Sequence, residues 1–119
     1  MDSGMYKPLQ MAAAQALSCS EDWFKKINDE YKRRRELVWK IFEATGSTYD
    51  KRQSGLFVWA KIPQDYENST SFSNKYLYES NVFIAPGFIF GTNGEGFARI
   101  SLCCNLETLN EALNRIKKK

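Results

Sequence analysis

Between Ser20 and Gly46 apolar side chains recur at helical spacing, through Phe24, Ile27, Tyr31, Val38, Ile41 and Phe42, with Trp23 and Trp39 flanking the stripe. Ser20 is a good N-cap, and Glu21 and Asp22 fall in the first turn, where the helix dipole favours negative charge. Gly46 stops the pattern, so one helix is expected from Ser20 to about Thr45. In a chain of 119 residues with 43% hydrophobic and 26% charged residues, a helix of that length is the backbone of a single globular domain.

The other elements are shorter. Lys7 and Pro8 open a helix whose stripe is Leu9, Ala12, Ala13, Ala16 and Leu17, and that stripe is expected to pack on a neighbour. Leu56 to Ile62 alternates as a strand, with Leu56, Val58, Ala60 and Ile62 on one face and Phe57, Trp59 and Lys61 on the other. Serines and a threonine from Ser69 to Ser73 start a helix to about Ser80, turning Phe72, Tyr76 and Leu77 inward. Val82 to Ala85 reads as a short strand, and Pro86-Gly87 suits the centre of a type II turn. Asn93-Gly94 with Gly96 marks another turn before a strand from Gly96 to Leu102. There Ala98, Ile100 and Leu102 share one face, and Phe97, Arg99 and Ser101 the other. Asn105 caps a last helix carrying Leu106, Leu109, Leu113 and Ile116, with Glu107 near its start and lysines 117 to 119 at its end. The order implies an α+β sandwich with a small, mainly antiparallel sheet covered by helices.

Composition removes whole classes of chemistry. The chain has no histidine, which excludes histidine-based nucleophilic triads and the commonest ligand for zinc, copper and iron, so no metal site is expected. Cys19, Cys103 and Cys104 have no C-x-x-C spacing and read as reduced thiols of a cytoplasmic protein, the adjacent pair as core and edge residues. The longest nearly apolar run, Val82 to Phe90, is broken by Pro86 and Gly87 and falls short of the roughly 20 residues of a membrane helix. No basic and apolar leader precedes the alanine-rich residues Met11 to Leu17. Asp2-Ser3-Gly4 reads as a turn before a helix, as if the sequence started partway through something.

Three features compete for a functional role. Lys32-Arg33-Arg34-Arg35 forms a basic patch of the kind that binds nucleic acid or an acidic partner. Its neighbours favour a solvated helix face, because Glu21 and Lys25, Asp22 and Lys26, Asp29 and Arg33, Glu30 and Arg34, and Glu36 and Lys40 are acid-before-base pairs four residues apart. A net charge of only +3 also falls short of a phosphate-binding surface. Gly91, Gly94 and Gly96 mimic a phosphate loop, but such loops run into a helix and here a strand follows. Arg99 sits amid small and apolar strand residues. It reads either as an ordinary exposed strand arginine or as a planar two-toothed fork for an organic acid. It stays protonated, so it cannot move a proton, and no catalytic residue is assigned.

Four motifs occur in order. Tyr31, Arg34 and Arg35 form Y-x-x-R-R; Gly55-Leu56-Phe57-Val58-Trp59 forms G-x-F-x-W; Pro86-Gly87 with Phe90-Gly91 forms P-G-x-x-F-G; and Gly94, Gly96 and Arg99-Ile100-Ser101 form G-x-G-x-x-R-I-S. From about Met5 to Ile116 the sequence resembles the C-terminal part of pyridoxal-phosphate-dependent aminotransferases of classes I and II, with the aspartate aminotransferase type of fold.

The resemblance implies a transferase that moves an amino group between an amino acid and a 2-oxo acid, with pyridoxal 5'-phosphate as cofactor and a homodimeric parent. It gives Arg99 the role of binding the substrate α-carboxylate, with Phe57, Pro86, Gly87 and Gly91 shaping the loop and wall around it. The family's cofactor-bonding lysine, the aspartate at the pyridine nitrogen and the phosphate-binding groups lie upstream of the matched region, and none has a counterpart here. The expected organisation is therefore a joining segment at 1–19 and the small domain at 20–119, a fragment inactive alone and binding no cofactor. Carbon-sulfur lyases and transcription regulators with an aminotransferase-like domain share this pattern, and a freestanding basic-helix module is the reading from another class. No nucleic acid and no membrane partner is expected.

Overall fold

The structure, a computed structural model, describes residues 4–118. The turn expected at Asp2-Ser3-Gly4 lies, except for Gly4, outside them, as does Lys119. Two compact units divide the chain at Glu30 and Tyr31, inside the long helix.

The first unit holds helix α1 (Lys7–Leu17) and the start of α2 (Glu21–Ala44). Pro8 occupies the first turn of α1, and the Trp23 N–H reaches the Ser20 hydroxyl at 3.4 Å as the N-cap spacing predicts. No residue of α1 is buried, so its apolar stripe does not find the expected packing partner among the described residues. Phe24 is likewise exposed and Ile27 only half-buried, which corrects the buried face read over the whole of α2. Sequence periodicity reports which side chains share a face, not whether a core lies beneath that part of it.

The second unit is an α+β layer pair. Its sheet has strands β1 (Thr48–Tyr49), β2 (Phe57–Lys61), β3 (Ala85–Pro86) and β4 (Phe97–Ser101) in the order β1-β2-β4-β3, with every pairing antiparallel. Val58, Ala60, Ala98 and Leu102 point to one face and join a single core with Val38, Ile41 and Phe42 of α2. Phe72 and Tyr76 of α3 (Ser69–Ser80) and Leu109, Leu113 and Ile116 of α4 (Leu106–Lys117) complete it. Asn105 caps α4 by accepting the Thr108 N–H at 2.8 Å, and Asn68 caps α3 in the same way through Ser71. The alternation of β2 and β4 is thus realised as a buried face and a partly exposed one.

Four local expectations change. Strand β1 has no alternation to announce it; it pairs Thr48 with Lys61 and Tyr49 with Ala60, while Tyr49 stacks on Trp39 at 5.7 Å. The strand expected at Val82–Ala85 shrinks to Ala85–Pro86, because α3 takes the preceding main chain. The Val82 N–H donates to the Tyr76 carbonyl, and the Ser73 hydroxyl donates to the Ile84 carbonyl at 2.6 Å. Pro86-Gly87 is not a type II turn: that turn needs a positive φ at the glycine, whereas Gly87 instead opens a 3-10 helix, Gly87–Phe90, followed by a second, Thr92–Gly94. Cys103 and Cys104 are both exposed, since β4 ends at Ser101 and the pair falls in a turn.

Candidate functional site

On the partly exposed sheet face, β2 and β4 set Trp59 directly opposite Arg99 and Phe57 opposite Ser101. Cross-strand neighbours on one face lie within reach of long side chains, so Arg99 meets both aromatic residues of β2. Its guanidinium carbon is 4.1 Å from the Phe57 ring centre and 5.9 Å from that of Trp59. A third ring comes from the 3-10 helix, where Phe90 lies 3.5 Å from the same carbon and meets Trp59 edge-to-face at 5.5 Å. Each ring contact of this kind contributes on the order of 0.5–2 kcal/mol, according to how far the cation is desolvated. Among the described residues the half-buried Arg99 guanidinium has no hydrogen-bond or ion-pair partner. Its donors remain available, held on a rigid strand between aromatic walls.

The loop that brings Phe90 to Arg99 is built on a backbone contact. A Cβ on Gly87 would fall on the Gly94 carbonyl oxygen and 2.8 Å from that of Phe97, and a Cβ on Gly94 would fall on the Gly87 carbonyl oxygen. Two 3-10 turns therefore touch through glycines with no side chain between them. Glu95 then ties the loop to α3: its carboxylate accepts the Ser69 N–H at 2.6 Å and the Gly96 N–H at 2.9 Å. Those main-chain donors, Ser69 first, hold the Glu95 carboxyl below the ordinary carboxylate range. The Gly91, Gly94 and Gly96 segment leads into β4 and not into a helix, as the sequence indicates.

The basic patch on α2 is occupied structurally. Arg34 donates to the Leu102 carbonyl at 3.0 Å and lies over the Tyr31 ring, and Arg35 donates to the carbonyls of Gln53 and Gly55. The Y-x-x-R-R spacing thus places two guanidiniums where they bind strand-end and loop carbonyls. Gln53, which no sequence pattern marks, accepts from the Trp59 N–H and donates to its carbonyl, both at 2.8 Å. Its amide imitates a neighbouring strand for the residue facing Arg99. Phe90 was legible only as a motif letter; its contact with the arginine needed the loop geometry.

A cavity of about 440 Å³ opens along the other side of β4, lined by Ile84, Ala85, Ile100, Leu109 and Ala112, with Arg99 also on its boundary. Its other guanidinium, that of Arg115, is committed to Glu111 at 2.8 Å and to the Asn81 carbonyl. Among the described residues no group of three metal-ligating side chains occurs, and no helix is long and apolar enough to cross a membrane.

Comparison with known proteins adds the family. Residues 3–116 match the family model described as aminotransferase class I and II. The LL-diaminopimelate aminotransferase of Oleidesulfovibrio alaskensis is 40% identical over 116 residues, covering 98% of this chain and 30% of that protein. The glutamate-pyruvate aminotransferase of Escherichia coli is 35% identical over 118 residues, covering 98% of this chain and 29% of its own. Among solved structures, the aromatic aminotransferase from Pyrococcus horikoshii superposes with a TM-score of 0.76 at 36% identity, over 92% of this chain and 30% of that one. The chain spans about 30% of the length of the relatives it matches. On the strength of a family match over nearly its whole length, this chain belongs to the class I and II aminotransferases.

Proposed function

We propose that this chain is the C-terminal small domain of a pyridoxal-phosphate-dependent aminotransferase, with 1–19 as a joining segment, and that Arg99 binds the α-carboxylate of the amino acid and 2-oxo acid substrates. The observation that carries the reading is the Arg99 guanidinium, fixed on β4 among three rings yet without an anionic partner among the described residues. The ring contacts stabilise the side chain but leave its N–H donors unused, whereas Arg34 and Arg35 spend theirs on main-chain carbonyls. The same commitment of Arg34 and Arg35 argues against a basic-helix module for nucleic acid.

The fork would accept both carboxylate oxygens and turn the substrate about its carboxylate–Cα axis, a positioning contribution that shortens the search for a reactive geometry. The residues around Arg99 do not fit the cofactor itself: the side chains against its guanidinium are aromatic, and among the described residues no lysine lines the adjoining cavity. Pyridoxal phosphate supplies the electron sink of transamination when bound, and in this proposal the rest of the parent protein holds it.

In the full-length enzyme, Arg99→Ala is expected to lower kcat/KM for amino acids by a factor of about 100 or more while cofactor uptake, read by absorbance, stays intact. The scale follows from losing a charge-assisted bidentate contact. Unchanged turnover removes the role given to Arg99, and production of a 2-oxo acid without transfer of the amino group to an acceptor moves the parent to the lyases.

A further inference from the structure

Ring centres 3.5 and 4.1 Å from the guanidinium carbon are at stacking distance, and two rings stacked over the same face at those distances would overlap. Phe57 and Phe90 therefore bound Arg99 on separate sides. They come from different elements, β2 and the 3-10 helix, so neither ring's place depends on the other's. A guanidinium covered in this way keeps its five N–H donors at its rim, in its own plane.

We propose that Phe57 and Phe90 are positioning residues that make Arg99 a flat slot, selecting planar carboxylates over tetrahedral acids. This rests on the reading of Arg99 as the carboxylate anchor and adds a specificity device to it. A carboxylate lying coplanar with the fork places both oxygens on the rim donors and its two faces in line with the slot. A sulfonate or phosphonate presenting two oxygens to the same donors must send a third out of that plane, toward a ring whose face is electron-rich and offers it no hydrogen bond. The rejection comes from a lost polar partner and a steric wall, the combination that gives strong discrimination between acids of similar size. Trp59, 5.9 Å from the guanidinium and edge-on to Phe90, backs the Phe90 wall.

The test uses the full-length holoenzyme with propionate and ethanesulfonate as competitive inhibitors of amino-acid turnover, in wild type, Phe90→Leu, Phe90→Tyr and Arg99→Ala. Propionate is expected to inhibit about tenfold or more tightly than ethanesulfonate in wild type. Phe90→Leu brings that ratio to within about threefold, chiefly by admitting the sulfonate and loosening KM, and Phe90→Tyr, which keeps the ring, restores it. A purely structural role for Phe90 would shift both inhibitors together and leave the ratio in place, which overturns the slot. A wild-type ratio near one overturns it as well. If Arg99→Ala leaves inhibition by propionate unchanged, the carboxylate reading itself falls, an outcome separate from the first two. In the present chain the Arg99 guanidinium protons are expected upfield of an ordinary arginine's because they lie near ring faces. They should move downfield in Phe90→Leu, and an ordinary shift in wild type again overturns the proposal.

Discussion

Gly87 and Gly94 carry a constraint that no other residue type satisfies, and it comes from contact between two main chains. Each would drive a Cβ into the other's carbonyl oxygen, and backbone on both sides leaves no flexible side chain to yield. Gly94→Ala is expected to destabilise the chain by about 2–3 kcal/mol, in the range of a strained overpacking substitution, as read from denaturant midpoints. Gly91→Ala, whose Cβ would meet nothing within 4 Å, carries only the strain of its positive φ of 122°. Ordering the two variants by stability therefore separates close approach from backbone conformation.

The loop from Gly87 to Gly96 is an element in its own right, and Glu95 is the group that ties it to α3. Because main-chain donors hold the folded carboxyl below its ordinary range, the ionised form favours the folded state. That contribution is whole above the ordinary carboxylate range and is lost as pH falls through the lowered value. Melting temperatures of wild type and Glu95→Gln should differ at pH 7 and converge as acidification carries the pH below the ordinary carboxylate range; a constant gap would mean that the charge is irrelevant. This element also marks the limit of what sequence patterning conveys. The alternation of β2 and β4, the caps at Ser20 and Asn105 and the core stripe Val38, Ile41 and Phe42 follow from period and polarity, and all are found. The shortened β3, the 3-10 turns and the ring over Arg99 depend on contacts such as Ser73 with Ile84 and Gly87 with Gly94, which have no period to betray them. Arg99 itself was legible as a candidate; its three rings were only half so, since Phe57 and Trp59 follow from strand pairing but Phe90 does not.

At the scale of the whole chain, α2, α3 and α4 contribute within the second unit to one core on one side of the sheet, while the other side keeps Phe57, Phe97 and the Arg99 cluster accessible. With aromatic side chains and no lysine in contact with the anchor's guanidinium among the described residues, mixing this chain with stoichiometric pyridoxal phosphate and reducing with borohydride is expected to leave no single-site adduct by mass spectrometry. A one-to-one adduct at a unique lysine would place cofactor chemistry within these residues and contradict the division of labour proposed above. An uncovered aromatic sheet face would ordinarily invite fibrous polymerisation, but polymers of that sort grow sideways, from unpaired strand margins. Here each margin is a strand of only two residues, β1 and β3, and one of those four residues is Pro86, which has no N–H to offer a newcomer. The sheet is therefore sealed at both flanks against self-templated growth, even though its open face leaves Phe57 and Phe97 to solvent.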